Sequence, residues 1–217
     1  MKRIMLMLCS ATVLLFACNS SGSDSKDKKD STATTEVKKE GAWVPVDSAT
    51  MMKAMMDYGT PGKMQEMMAS WNGTWNADMI MWDHEGAPPQ KLTGTAVNTM
   101  ILGGRYQSTK HGGNMMGMPY EGMSTTGYDN ASKQFISSWI DNMGTGMMIM
   151  KGPWDESTKT LTLTGSMPDI CRPGKECTER EVFTVIDANT QHMELYGPDP
   201  KTGKEMKVME INMTRKK

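Results

Sequence analysis

The sequence predicts a mainly β fold: an antiparallel up-and-down barrel of about ten short strands preceded by one or two short helices. Three observations carry this expectation. From Gly73 onward apolar and polar residues alternate with period two, as in Trp75, Ala77, Met79 and Met81 against Thr74, Asn76 and Asp78. Turn-forming clusters then recur at short intervals: Glu85-Gly86-Ala87-Pro88-Pro89, Gly103-Gly104, His111-Gly112-Gly113-Asn114, Tyr128-Asp129-Asn130, Asn142-Met143-Gly144, Trp154-Asp155-Glu156-Ser157, Asp187-Ala188-Asn189 and Pro198-Asp199-Pro200. No helical pattern separates these clusters, so successive strands have local connections and pair antiparallel. Closing the sheet on itself would remove its edges, an advantage for an exported protein.

The N-terminus gives an address. Lys2 and Arg3 precede the apolar run Ile4 to Phe16, which is too short to span a membrane, and Ala17 and Cys18 follow it. Residues 1–17 read as a lipoprotein signal peptide and Cys18 as the lipidated residue, because Leu15 at the third position before Cys18 does not suit an Ala-x-Ala cleavage. More than one acyl chain, each buried methylene contributing roughly 0.8 kcal/mol, would anchor the chain stably. The expected location is the bacterial envelope, most naturally the outer membrane, on its periplasmic face or at the cell surface. Residues 18–40 are Ser, Asp, Lys, Thr and Glu with little to bury, which predicts a disordered linker reaching on the order of 25 Å. The barrel domain then occupies 41–217. A formal net charge of -1 leaves no basic footprint for nucleic acid, so the expected partners are the membrane, through Cys18, and an unidentified small ligand.

Within the domain, Asp47 and Ser48 offer an N-cap to a helix carrying Met51, Met52, Met55 and Met56. Thr60-Pro61 offers a second start before Met64, Met67 and Met68. Strands follow from Gly73. Of four cysteines, only Cys171 and Cys177 are left for the domain, flanking the turn-rich Arg-Pro-Gly-Lys-Glu, and an oxidising compartment predicts a disulfide between them.

Several blocks along these strands resemble a known family. They are Trp71-Asn72-Gly73-Thr74-Trp75, Gly94-Thr95, Ile101-Leu102-Gly103-Gly104-Arg105-Tyr106, Pro119-Tyr120-Glu121-Gly122, Gly127-Tyr128-Asp129-Asn130, Ser138-Trp139-Ile140-Asp141 and the stretch Gly152 to Thr164. Together they resemble the family catalogued as domain of unknown function 1579. The resemblance implies a calycin-like barrel related in shape to lipocalins and brings no activity with it. Many members of that family carry a histidine three residues after the Pro-Gly of the first helix. This chain has Gln65 there, so a role resting on that histidine does not carry over.

Candidate site residues fall into two sets. Period two along Phe135 to Asp141 puts Phe135, Ser137, Trp139 and Asp141 on one face, a carboxylate beside two aromatics. If that face is internal, Asp141 needs a partner such as Arg105, since an unpaired buried charge is costly. The lining of a ligand-binding barrel would then draw on Trp75, Arg105, Glu121, Phe135, Trp139, Asp141, Met148 and Met150. The second set follows from 26 methionines, three of them in the signal. Thioethers suit Cu(I), and His111 lies just before Met115, Met116 and Met118, while Met147, Met148 and Met150 form a further cluster. Methionine as flexible core filler in place of Leu and Ile accounts for the same composition. Haem ligation would require a histidine on the inner face. No G-x-S-x-G, H-E-x-x-H, P-loop or Rossmann fingerprint occurs, which leaves Glu121 with Asp141 as a conceivable acid and base pair and favours a non-enzymatic binding protein. A scaffold that recruits a protein partner is the third reading. No cofactor is named by any motif.

Overall fold

The computed structural model describes residues 43–217; the expected signal, Cys18 and linker lie outside them. The barrel unit runs Pro45–Lys217. Two helices open it, α1 (Ser48–Gly59) and α2 (Lys63–Ser70). Eleven strands follow: β1 (Gly73–Met81), β2 (Gln90–Ile101), β3 (Tyr106–Met115), β4 (Met118–Asp129), β5 (Gln134–Asp141), β6 (Met148–Gly152), β7 (Trp154–Asp155), β8 (Thr160–Pro168), β9 (Glu176–Asp187), β10 (Thr190–Pro198) and β11 (Glu205–Arg215). Their order is β6-β5-β4-β3-β2-β1-β11-β10-β9-β8-β7, and β6 also pairs with β8, so ten strands close into a ring with β7 as an extra edge.

Two features close that ring. The first strand pairs antiparallel with the last, from Trp75 opposite Arg215 to Met81 opposite Met209. The seam between β6 and β8 is narrow, with Lys151 opposite Thr164. Gly152 and Gly165 permit it: a Cβ on Gly152 would collide with the Thr162 carbonyl oxygen, and one on Gly165 with that of Ile149. Only a residue without a side chain lets two backbones cross so closely.

Asp47 caps α1 as expected, its carboxylate accepting from the Ala49 and Thr50 amides at 3.0 Å. The start of α2 differs from the expectation: the cap is Gly62, whose amide donates to Gln65 Oε1 at 2.8 Å, rather than Thr60. The capping box needs a Gln or Glu at the third helical position, and Gln65 provides it. Its Nε2 donates onward to the Tyr128 carbonyl at 3.1 Å, fixing the helix on β4. The methionine face of α1 buries nothing, and Met51, Met52, Met55 and Met56 are all exposed.

α2 plugs one end of the barrel. A helix C-terminus leaves carbonyls without intrahelical partners, and here barrel side chains supply them. Gln107 Nε2 donates to Met68 O at 2.6 Å, Asn98 Nδ2 and Trp75 Nε1 donate to Trp71 O at 3.1 and 3.0 Å, and Arg215 donates to Ser70 O at 2.9 Å and to Asn72 O. Met68 and Trp71 pack there on Phe135, Met150, Leu161 and Leu163, which form the closed core. Among the described residues no helix is long and apolar enough to cross a membrane.

The expected disulfide is not formed: Cys171 and Cys177 are both free. Cys171 belongs to a turn held by Asp169, which accepts from its amide at 2.9 Å and pairs with Arg172 at 2.7 Å. Cys177 sits on β9 opposite Met167 with its thiol directed to the Met167 carbonyl.

Candidate functional site

The ladder register fixes which side chains enter the lumen. Because neighbours across an antiparallel ladder share a face, the fully buried Trp75 and Phe135 propagate the inward assignment from strand to strand. One row runs Ala96, His111, Gly122, Asp141 across β2 to β5, and the next places Ser124 beside Trp139. Gly122 is the pivot of this wall. A Cβ there would lie 2.6 Å from Trp139 Cζ2, so the bare backbone lets the indole fold across β4 and meet the His111 ring nearly edge-on, with centroids 5.0 Å apart at 65°. Trp139 Nε1 donates to Asp141 Oδ2 at 2.8 Å, and the other carboxylate oxygen of Asp141 accepts from the Met143 and Gly144 amides at 2.9 and 3.2 Å. Tyr120 completes the wall beside Asp141.

The expected pairing of Arg105 with Asp141 does not occur. Arg105 lies in the turn between β2 and β3 at the plugged end, exposed, donating to Gly59 O at 3.0 Å and Leu102 O at 3.3 Å. Asp141 belongs to the opposite end and is satisfied by amide and indole N–H groups instead. Glu121 is exposed on the outer face of β4, one residue from the inward Gly122, so it does not join Asp141 as an acid and base pair. Trp75, Phe135 and Met150 face inward but are sealed in the packed half, whereas Trp139, Asp141 and Met148 line the more open half.

His111 and the methionines following it do not converge. His111 sits midway along β3, and Met115 lies four residues further, about 13 Å along an extended strand. Met116 occupies the hairpin turn and, like Met118, is exposed. On the outer surface His192, Glu194 and Glu210 approach one another, but Lys207 Nζ already bridges the two carboxylates at 2.9 Å from Glu194 and 2.5 Å from Glu210.

The opposite wall holds two residues that the sequence reading did not single out. Glu179 and Glu181 on β9 stand opposite Gly165 and Leu163 of β8, and Leu163 is core, so both carboxylates point inward. Alternation on this strand is masked because its outer face also carries Val182 and Ile186; the parity shared with Phe183 and Val185 was the available signal. β3 and β9 are five strands apart in either direction around the ring, so His111 and Glu181 face each other across it. Neither glutamate has a hydrogen-bonding or ionic partner among the described residues.

Electrostatics follow from this placement. Burial alone holds the His111 imidazole down at about 4, so it is neutral. Burial first, and the neighbouring charge of Glu179 second, push Glu181 up to about 7; burial also raises Glu179. Protein surrounds Glu181 on most sides, yet its side chain is only partly buried. Burial and the charge of Asp141 raise the Tyr120 phenol to about 12, keeping it a hydrogen-bond donor. Between the two walls stand Met79, Met148, Met193, Leu195 and Met209, inward but only partly buried, in contrast to the sealed core around α2. The inward face of these strands is thus apolar and polarizable, with a few polar groups on facing sides. A surface hollow of about 260 Å³ by Cys171, Cys177, Pro198 and Pro200 lacks such a set, its Asp169 and Arg172 being bonded to each other.

Comparisons with known proteins agree with the architecture. No curated protein matches the chain. Among solved structures, Rv2717c from M. tuberculosis is similar with a TM-score of 0.56 at 10% identity, covering 73% of this chain and 100% of that one, a likeness of fold. The family model described as "Protein of unknown function (DUF1579)" matches residues 60–215, from the residues before α2 to the end of β11, and the chain therefore belongs to that family.

Proposed function

We propose that this protein is a non-enzymatic carrier that binds a small amphipathic molecule in the lumen of its barrel, tethered to the bacterial envelope through lipid on Cys18. The observation carrying the reading is the gradient inside the barrel. The half plugged by α2 is packed to exclusion of solvent, whereas inward-facing His111, Trp139, Met148, Met193 and Leu195 remain partly accessible. Binding chambers combine a mostly apolar lining with a few fixed polar groups, and the wall formed by His111, Trp139, Tyr120 and Asp141 has that composition. Its members hold one another in place through the Trp139 to Asp141 hydrogen bond and the His111 to Trp139 contact, so the ligand would meet a preorganised surface.

Native mass spectrometry of the protein purified from its own envelope tests this reading. The wild type should carry a co-purifying small molecule, and Met148→Trp, which fills the chamber from β6, should lose it while keeping the fold. Bare protein in both cases would defeat the proposal.

A further inference from the structure

We propose that the molecule held in the lumen carries a positively charged nitrogen, recognised by the Glu179 and Glu181 pair on β9; this deepens the lumen reading and rests on it. Charge is unbalanced inside the closed ring of strands. Three carboxylates point inward, those of Asp141, Glu179 and Glu181. Asp141 is met by the Trp139 indole and two backbone amides. Nothing comparable reaches the two glutamates.

No cation of the chain can serve them. Among the described residues the Lys and Arg side chains lie on the outer face or at the barrel ends. Arg180, between the two glutamates in sequence, points outward to Glu205 at 2.5 Å and stacks on Tyr196 with its guanidinium carbon 4.0 Å from the ring centre. Lys207 is held outside by Glu194 and Glu210. Arg215 is in register with inward Trp75, but at the plugged end, where α2 takes its hydrogen bonds. His111, across the ring, is kept neutral by burial and adds no charge.

Two adjacent carboxylates that face the barrel interior without a partner repel each other and favour whatever brings positive charge between them. A metal ion would want further ligands close by; the inward neighbours Leu163, Gly165, Leu195 and Phe183 offer none, and the Cys177 thiol, two residues before Glu179 on the same face, is directed to the Met167 carbonyl. Apolar and methionine side chains next to a charged anchor suit an organic cation: its hydrocarbon body packs on Met193, Leu195 and Met209 while the ammonium meets the carboxylates. The π face of Trp139 offers a second favourable surface to a cation.

The test uses the full chain in lipid nanodiscs, with empty discs as blank, and three probes sharing one apolar body: 2-naphthylmethylammonium, 2-naphthalenemethanol and 2-naphthoate. Affinities are read by calorimetry at pH 8. The ammonium should bind at least about tenfold more tightly than the alcohol, as expected for one enclosed charge-assisted contact, and the carboxylate should bind weakest. In Glu179→Gln/Glu181→Gln the ammonium and the alcohol should fall within about twofold of each other, with alcohol affinity unchanged; Glu181→Gln alone gives an intermediate value if the double variant does not fold. Equal binding of ammonium and alcohol by the wild type, or a preference for the carboxylate, overturns the cation assignment and leaves the lumen reading standing. Failure of all three probes to bind overturns both.

Discussion

At the scale of single residues, His111 and Glu181 act on stability in opposite directions. Glu181 has its folded value raised from 4.5 to about 7, so the stability associated with its protonated form is complete below pH 4.5 and is lost as pH rises through about 7. His111 has its value lowered from 6.5 to about 4, so the stability of its neutral form is complete above pH 6.5 and is lost as pH falls through about 4. Between these limits the two slopes oppose each other and hide one another in the wild type. Glu181→Gln should therefore gain stability over the wild type progressively from pH 4.5 to 7, by up to about 3 kcal/mol, measured as urea midpoints across that range. A stability difference that stays constant with pH would contradict the enclosed placement of Glu181. The sequence disclosed these residues unevenly. Trp139 and Asp141 were legible because polar and apolar residues alternate cleanly on β5. Glu179 and Glu181 were not, because β9 carries apolar residues on both faces and a carboxylate in sequence reads as solvated. The role of Gly122 could not be read at all, since the need for a missing side chain arises only when an indole from the next strand lies across it.

At the scale of elements, α2 shows how a short helix becomes structural. Eight residues form too few internal hydrogen bonds to persist alone, and the helix is held because Gln107, Asn98, Trp75 and Arg215 satisfy the carbonyls at its end. Arg215 has the largest share. It donates to Ser70 and Asn72 of the helix end and to Ala188 at 3.0 Å, and its guanidinium lies 4.3 Å from the Trp75 ring centre. Its positive charge also suits a helix C-terminus. Arg215→Ala should cost roughly 2–3 kcal/mol, lowering the melting temperature by about 5–10 °C in thermal denaturation, and Arg215→Lys should restore only part because an ammonium cannot fork between carbonyls. An unchanged melting temperature would show that the plug is held by apolar packing alone. The helices were visible in the sequence through their methionine spacing and caps. The true start of α2 was missed because Thr60-Pro61 is the stronger local signal, while the Gly62 and Gln65 capping box gains its force from the Tyr128 carbonyl, 63 residues away.

At the scale of the whole molecule, about ten strands were expected and ten close the ring, because turn chemistry marks most strand ends locally and antiparallel neighbours need no long crossovers; the cluster His111-Gly112-Gly113-Asn114, expected as a turn, instead lies inside β3, and the hairpin turns at Met116-Gly117. The small β7, a product of the tight passage from β6 to β8, had no separate signature. The signal pattern before Cys18 makes lipid the proposed tether. Cys18→Ser should move the protein from the membrane fraction to the soluble fraction on cell fractionation, with the barrel still folded; retention of the variant in the membrane fraction would exclude the lipid tether as the anchor. The union of β1 with β11 has a further consequence, for the timing of folding. The strand that begins the sheet must wait for the strand that ends it, about 140 residues later in synthesis, so no partial chain can reach the native state, and until the final residues arrive β1 offers an unprotected edge to any neighbouring polypeptide. Such a protein should fold slowly and all at once, and its chain stays open to capture or threading until β11 is complete.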